Sequence, residues 1–97
     1  MGTYIALLDY TDQGIRNIQD SPQRADQFNE LAQKAGARVL SQYWTIGAHD
    51  GVLVLEAPND EVAASVFLAL GARGNVRTTT LRAFEWADAQ GLIENEA

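Results

Sequence analysis

Two short runs in this chain, Tyr4-Ile5-Ala6-Leu7-Leu8 and Val52-Leu53-Val54-Leu55, are apolar at every position. Each is too short for an ordinary helix, and the second alternates branched side chains, so both read as strands. Neighbouring side chains of a strand point to opposite faces of its sheet. A strand that is apolar at both parities therefore needs cover on both faces. That demand is hard to meet, because 97 residues supply material for about two layers around one core.

The remaining segments account for one covering layer. Thr11-Asp12-Gln13-Gly14 offers an N-cap and a turn, and Ile15 to Ile18 fits one helical turn. Ser21 is expected to cap a longer helix with Pro22 at its first position, where a missing N–H costs nothing. Phe28, Leu31, Ala32 and Ala35 recur at helical spacing, and Gly36 is a left-handed stop. Val39 to Ile46, with Tyr43-Trp44, reads as a strand, followed by a hairpin loop, Gly47-Ala48-His49-Asp50-Gly51. Asn59 caps a second long helix, with Asp60 and Glu61 in the first turn where the helix dipole favours carboxylates. Val62, Ala63, Val66, Phe67 and Leu70 form its apolar stripe, and Gly71 and Gly74 end it. Val76 to Phe84 is a Thr-rich fourth strand. The acidic tail over 85–97, with Trp86, Leu92 and Ile93 as its only large apolar groups, is expected to form a short helix or fray. Residues 1–97 read as a single domain without an internal linker.

The order β-α-β-β-α-β makes an α+β, ferredoxin-like arrangement: two split βαβ units, a four-stranded antiparallel sheet and both helices on one face. Strands one and three are then central, and two and four are edges. The helix-free face stays apolar, and each large side chain left in water there forfeits about 1.5–3 kcal/mol. Such a patch marks an interface. An acidic tail is a poor lid, so the expected cover is the same sheet from a second copy, related by a two-fold axis.

Net charge is −6 with only seven scattered basic residues, which argues against nucleic acid and anionic membrane surfaces as partners. No run approaches the about 20 apolar residues of a membrane span, and the N-terminus lacks the basic region of a signal peptide; the expectation is a cytoplasmic protein. Without cysteine and with one histidine, thiolate chemistry and the usual catalytic zinc set are missing, and neither metal nor cofactor is expected. Ser21, Ser41 and Ser65 sit in no nucleophile elbow. Gly71-Ala72-Arg73-Gly74-Asn75 looks like a phosphate loop, but it runs from helix to strand, the reverse of such loops.

Thr3-Tyr4-Ile5, Gln13-Gly14-Ile15, Asn17-Ile18, Asp20-Ser21-Pro22, Glu56-Ala57-Pro58, Gly74-Asn75-Val76-Arg77-Thr78 and Thr80-Leu81-Arg82-Ala83-Phe84 together resemble the GYD family of small bacterial proteins. The family's Gly-Tyr-Asp motif falls in the hairpin loop, where this chain reads Gly47-Ala48-His49-Asp50; Gly47 and Asp50 match, and His49 stands in place of the tyrosine. The resemblance implies a dimeric α+β barrel and no particular activity.

The topology collects one rim: strands one and two end where three and four begin. Tyr10, Arg16, Gly47, His49, Asp50, Asn75 and Arg77 are the ligand-binding candidates there, with Asp9 and Arg73 beside them. A polar rim over an apolar sheet suits a small anionic or aromatic ligand. His49 is the candidate catalytic base, since histidines change charge near neutral pH; its plainer reading is an exposed loop residue. Asp50 has a plainer role in holding the turn. Arg77 and Arg82 serve equally as charges that guard an edge strand, and Arg82 lies near Glu56 and Arg38 for an ion pair. Tyr43 and Trp44 point to opposite faces, and one of them is expected in the core. Three functions follow: a small-molecule-binding sensor or carrier; a cofactor-independent monooxygenase or isomerase with His49 as base and Arg77 stabilising an anion; or a structural or regulatory dimer module.

Overall fold

A computed structural model describes residues 1–96. Its order is β1 (Gly2–Tyr10), α1 (Asp12–Arg16), a 3-10 turn (Ile18–Asp20), α2 (Ser21–Lys34), β2 (Arg38–Trp44), β3 (Gly51–Ala57), α3 (Asp60–Ala72), β4 (Val76–Ala83) and α4 (Trp86–Glu96). The sheet runs β2-β3-β1-β4 and is antiparallel throughout, the ferredoxin-like topology with the two apolar strands at its centre. No helix among the described residues is long and apolar enough to cross a membrane.

The central pair is in register from Gly2 opposite Ala57 to Leu8 opposite Gly51. Tyr4, Ala6, Leu8, Leu53, Leu55 and Ala57 thereby face one way, and all are buried against Phe28 and Ala32 of α2 and Ala63, Val66 and Phe67 of α3. The Phe28 and Phe67 rings stack across the two helices with centroids 6.4 Å apart. Ile5, Leu7, Val52 and Val54 point to the other side, where they remain only half-buried beside exposed Leu81 of β4 and Tyr43 of β2. The acidic tail does not fold back over them. Its Trp86–Glu96 stretch forms α4, which among the described residues makes no extensive contact with any other element and leaves Trp86 and Ile93 exposed.

Thr11 caps α1 by accepting from the Gly14 N–H at 3.1 Å, and Asn59 caps α3 by accepting from Val62 at 2.9 Å. Gly36, at φ +86°, ends α2 in the left-handed conformation that glycine adopts without strain. Three local expectations are corrected. Ser21 is the first residue of α2 rather than its cap, and its hydroxyl turns inward to side chains of β1 and β2. Neither Tyr43 nor Trp44 is buried in the core: they are 61% and 52% exposed, at the end of the edge strand β2. Arg38 pairs with Glu56 at 3.4 Å, while Arg82 lies over the Phe84 and Tyr4 rings, 4.5 and 5.4 Å from their centroids, instead of joining an ion pair.

Tyr4 ties β1 to the start of α3 by donating its hydroxyl to Asp60. That bond, with burial and the adjacent Asp60 charge, holds its phenol above the ordinary value of 10.0. A group raised on folding stabilises the fold below its unfolded value and loses that contribution as pH rises through its folded value. Unfolding midpoints in urea should therefore fall above about pH 10. Tyr4→Phe should have a lower midpoint at neutral pH and a flatter alkaline decline; an equally steep decline would assign the loss to other groups.

Candidate functional site

The ends of β1 and β2, the starts of β3 and β4, the first turns of α2 and the end of α3 meet at one rim. Between α2 and the helix side of the sheet they leave a cavity of about 60 Å³ with an open mouth. Leu8, Phe28, Leu53, Leu70 and Val76 form its apolar lining. Tyr10, Ser21, Arg24, Gln42, Trp44, Asp50, Arg73 and Asn75 supply its polar groups.

Each polar group is placed by a local feature of the chain. The Trp44 indole N–H donates to Ser21 Oγ at 2.9 Å, and the Tyr10 and Ser21 hydroxyls lie 2.9 Å apart. Three elements, β1, α2 and β2, are thus joined by one buried serine oxygen. Trp44 reaches α2 because β2 carries a bulge between Val39 and Ser41. The extra residue shifts the alternation, so that Gln42 and Trp44 share the helix side with Val39, while Ser41 and Tyr43 face the other way.

Asp50 closes the hairpin onto β1. Its carboxylate accepts from the Tyr10 N–H at 2.8 Å, and its own N–H donates to Leu8 O at 2.8 Å. Arg24 donates to the carbonyls of Asn17 at 2.8 Å and Gly14 at 3.4 Å, which holds its guanidinium at the mouth. Arg73 donates to Gln27 at 3.4 Å. Asn75 is set by α1: its carbonyl accepts from the Thr11 N–H at 3.1 Å and its side-chain oxygen accepts from Gln13 at 2.9 Å. That latch needs Gly14, where a Cβ would stand 1.9 Å from Asn75 O. Gly14→Ala should lower stability by about 1–3 kcal/mol and accelerate hydrogen exchange at the Thr11 amide. Alanine's helix propensity opposes this by up to about 1 kcal/mol; a stabilised variant would show that the latch carries no weight.

Of the residues expected at the rim, Tyr10, Asp50, Asn75 and Arg73 line the cavity. His49 sits beside them in sequence but is directed elsewhere: its Nδ1 lies 3.2 Å from both oxygens of Asp9. Asp9 alternates with buried Leu8 and pairs with Arg77, so this group belongs to the helix-free side of the sheet. Arg77, Arg16 and Gly47 are exposed and lie outside the cavity lining. Ser21, Arg24, Gln42 and Trp44 line the cavity without having been expected there. Arg24 at helical spacing from Ser21 and Phe28 was the available signal; the β2 residues had none, because a bulge is invisible in their composition.

Comparison with known proteins agrees with this fold. The model of the GYD domain family matches residues 4–93. A protein of Thermus thermophilus, described as a glutamine synthetase and cystathionine beta-lyase binding protein, is 39% identical over 89 residues, covering 91% of this chain and 94% of its own. Among solved structures, TTHA0845 from Thermus thermophilus superposes with a TM-score of 0.55 at 23% identity, covering 88% of this chain and 95% of that one.

Proposed function

This chain belongs to the GYD domain family, and from that premise we propose that it is a homodimeric binding module, regulatory rather than catalytic, acting in the cytoplasm. The observation that carries the reading is the helix-free face of the two central strands. Ile5, Leu7, Val52 and Val54 form a contiguous apolar block on that face, and no element among the described residues covers it. A second copy related by a two-fold axis presents the same block and buries both at once. Face-to-face sheets about 10 Å apart would then enclose eight such side chains, four from each copy.

Binding is favoured over catalysis by the placement of the ionisable groups. The one histidine faces Asp9 on the side away from the cavity, and the carboxylate in the cavity wall is committed to the Tyr10 amide. The cavity therefore offers donors and apolar surface, and its one carboxylate serves the hairpin through the Tyr10 amide. On this reading the cavity receives a small ligand, as in a sensor or carrier, and the dimer's outer surface engages other proteins. The description of the Thermus relative as a binding protein for glutamine synthetase and cystathionine beta-lyase supports that second part.

Sedimentation of the purified chain tests the assembly: the expected species has twice the 10.6 kDa chain mass. Mixing it with purified glutamine synthetase and, separately, cystathionine beta-lyase should shift the protein into a faster species in at least one case. A single-chain species at micromolar concentration would remove the dimer, and a dimer indifferent to both enzymes would confine the role to the small ligand.

A further inference from the structure

The wall of the α2 cavity carries a proton without a partner. The Trp44, Ser21 and Tyr10 group brings three polar hydrogens to one place. The indole N–H is used on Ser21 Oγ. One hydroxyl hydrogen makes the bond between Ser21 and Tyr10, whichever of them donates it. The other hydroxyl hydrogen meets no acceptor among the described residues. That hydrogen stands at an open-mouthed cavity, where solvent or a ligand oxygen can accept it. The cavity thus asks its occupant for an oxygen acceptor.

The charges around it define that acceptor further. Two guanidinium groups, Arg24 and Arg73, line the cavity against one carboxylate, Asp50, whose Oδ2 is already taken by the Tyr10 amide. The balance favours an anion. Arginine's planar fork and a neutral hydroxyl together match a carboxylate, whose two oxygens accept side by side. Beyond the polar wall the surface is apolar, built by Leu8, Phe28, Leu53 and Leu70. About 60 Å³ is well under half of the roughly 150 Å³ that accommodates benzene, so the enclosed part of the ligand is its carboxylate end, and the hydrocarbon extends along the Phe28 side into the open mouth.

We propose that the cavity between α2 and the sheet is a binding site for a compact apolar monocarboxylate, with Arg24 and the free hydroxyl of the Tyr10–Ser21 pair on the carboxylate and the Phe28 side holding the hydrocarbon. This deepens the binding-module reading and rests on it, naming the ligand class of that module. Trp44 stands at the polar wall and makes the site observable.

The test uses the full chain with Trp86→Phe, which leaves Trp44 as the sole tryptophan, and titrates benzoate and 3-methylbutanoate while following its emission. Saturable changes are expected for both. Benzamide, which has the same ring without the charge, should bind at least about tenfold more weakly. Arg24→Gln should weaken benzoate by about 10–100-fold with unchanged circular dichroism; Tyr10→Phe, which leaves the Ser21 hydroxyl free to donate, should weaken it less than the double variant Tyr10→Phe with Ser21→Ala, which removes both hydroxyls. No saturable change up to millimolar carboxylate, equal binding of benzamide, or displacement of benzoate by inorganic phosphate would each overturn the proposal. Sedimentation of the same samples separates the two readings: a monomer that binds benzoate removes the dimer and keeps the site, while a dimer blind to all carboxylates does the opposite.

Discussion

Val54→Asp is expected to turn the protein into a folded single chain. Val54 lies at the middle of β3, opposite Ile5 of β1, on the face that no helix covers. In an isolated chain an aspartate there, half-buried on an uncovered face, keeps access to water and costs about 1 kcal/mol of strand preference. In the proposed dimer the two-fold axis places two carboxylates inside an apolar interface, each without a partner. Removing a charge from water without compensation costs several kcal/mol, so a conservative estimate of about 2 kcal/mol for each copy already raises the dissociation constant about 10³-fold. Sedimentation and far-ultraviolet circular dichroism, recorded together, distinguish dissociation from unfolding. Val54→Thr, nearly the same shape, should weaken the dimer less and supplies the answer if the aspartate impairs folding. A Val54→Asp protein that keeps its fold and sediments as wild type would show that this face is not the interface.

The second large effect concerns Phe28. It is buried at the centre of α2, stacks on Phe67 of α3 and forms part of the cavity lining. Phe28→Ala removes the ring that joins both helices to each other, and truncations of this kind cost about 3–5 kcal/mol. Small domains have only about 5–15 kcal/mol of net stability, so the urea midpoint should fall steeply. Phe28→Leu keeps most of the volume and should cost less than about 1.5 kcal/mol. Both measurements belong at one fixed protein concentration, since the proposed dimer would link stability to concentration. If alanine costs no more than leucine, α2 and α3 are held by contacts other than this ring pair.

The two sites of change differ in how they relate to the amino-acid order. Val54 is conspicuous in the sequence, because an apolar residue in a run of apolar residues cannot avoid facing the uncovered side. Phe28 is recognisable as core from its spacing to Leu31, Ala32 and Ala35, but nothing in that spacing says that it meets Phe67 or closes a cavity.

What the order of residues determined by itself was the set of elements, two of the helix caps and one helix stop, and hence the topology. The β1 and β3 runs, Thr11 and Asn59 as N-caps and Gly36 as a stop act through bonds and packing within a few residues, so local chemistry is enough to specify them. Right-handed crossovers then leave one economical way to assemble the sheet, with β2 and β4 at its edges. The composition of the cavity wall was decided only in three dimensions. A one-residue bulge in β2 turned Trp44 toward Ser21 and Tyr43 away from it, and it turned Ser21 from an expected cap into the meeting point of three elements. The physical reason is that side-chain direction in a strand has a period of two: one extra residue exchanges the faces of all that follow, and whether it is inserted depends on pairing with a strand that arrives later in the chain.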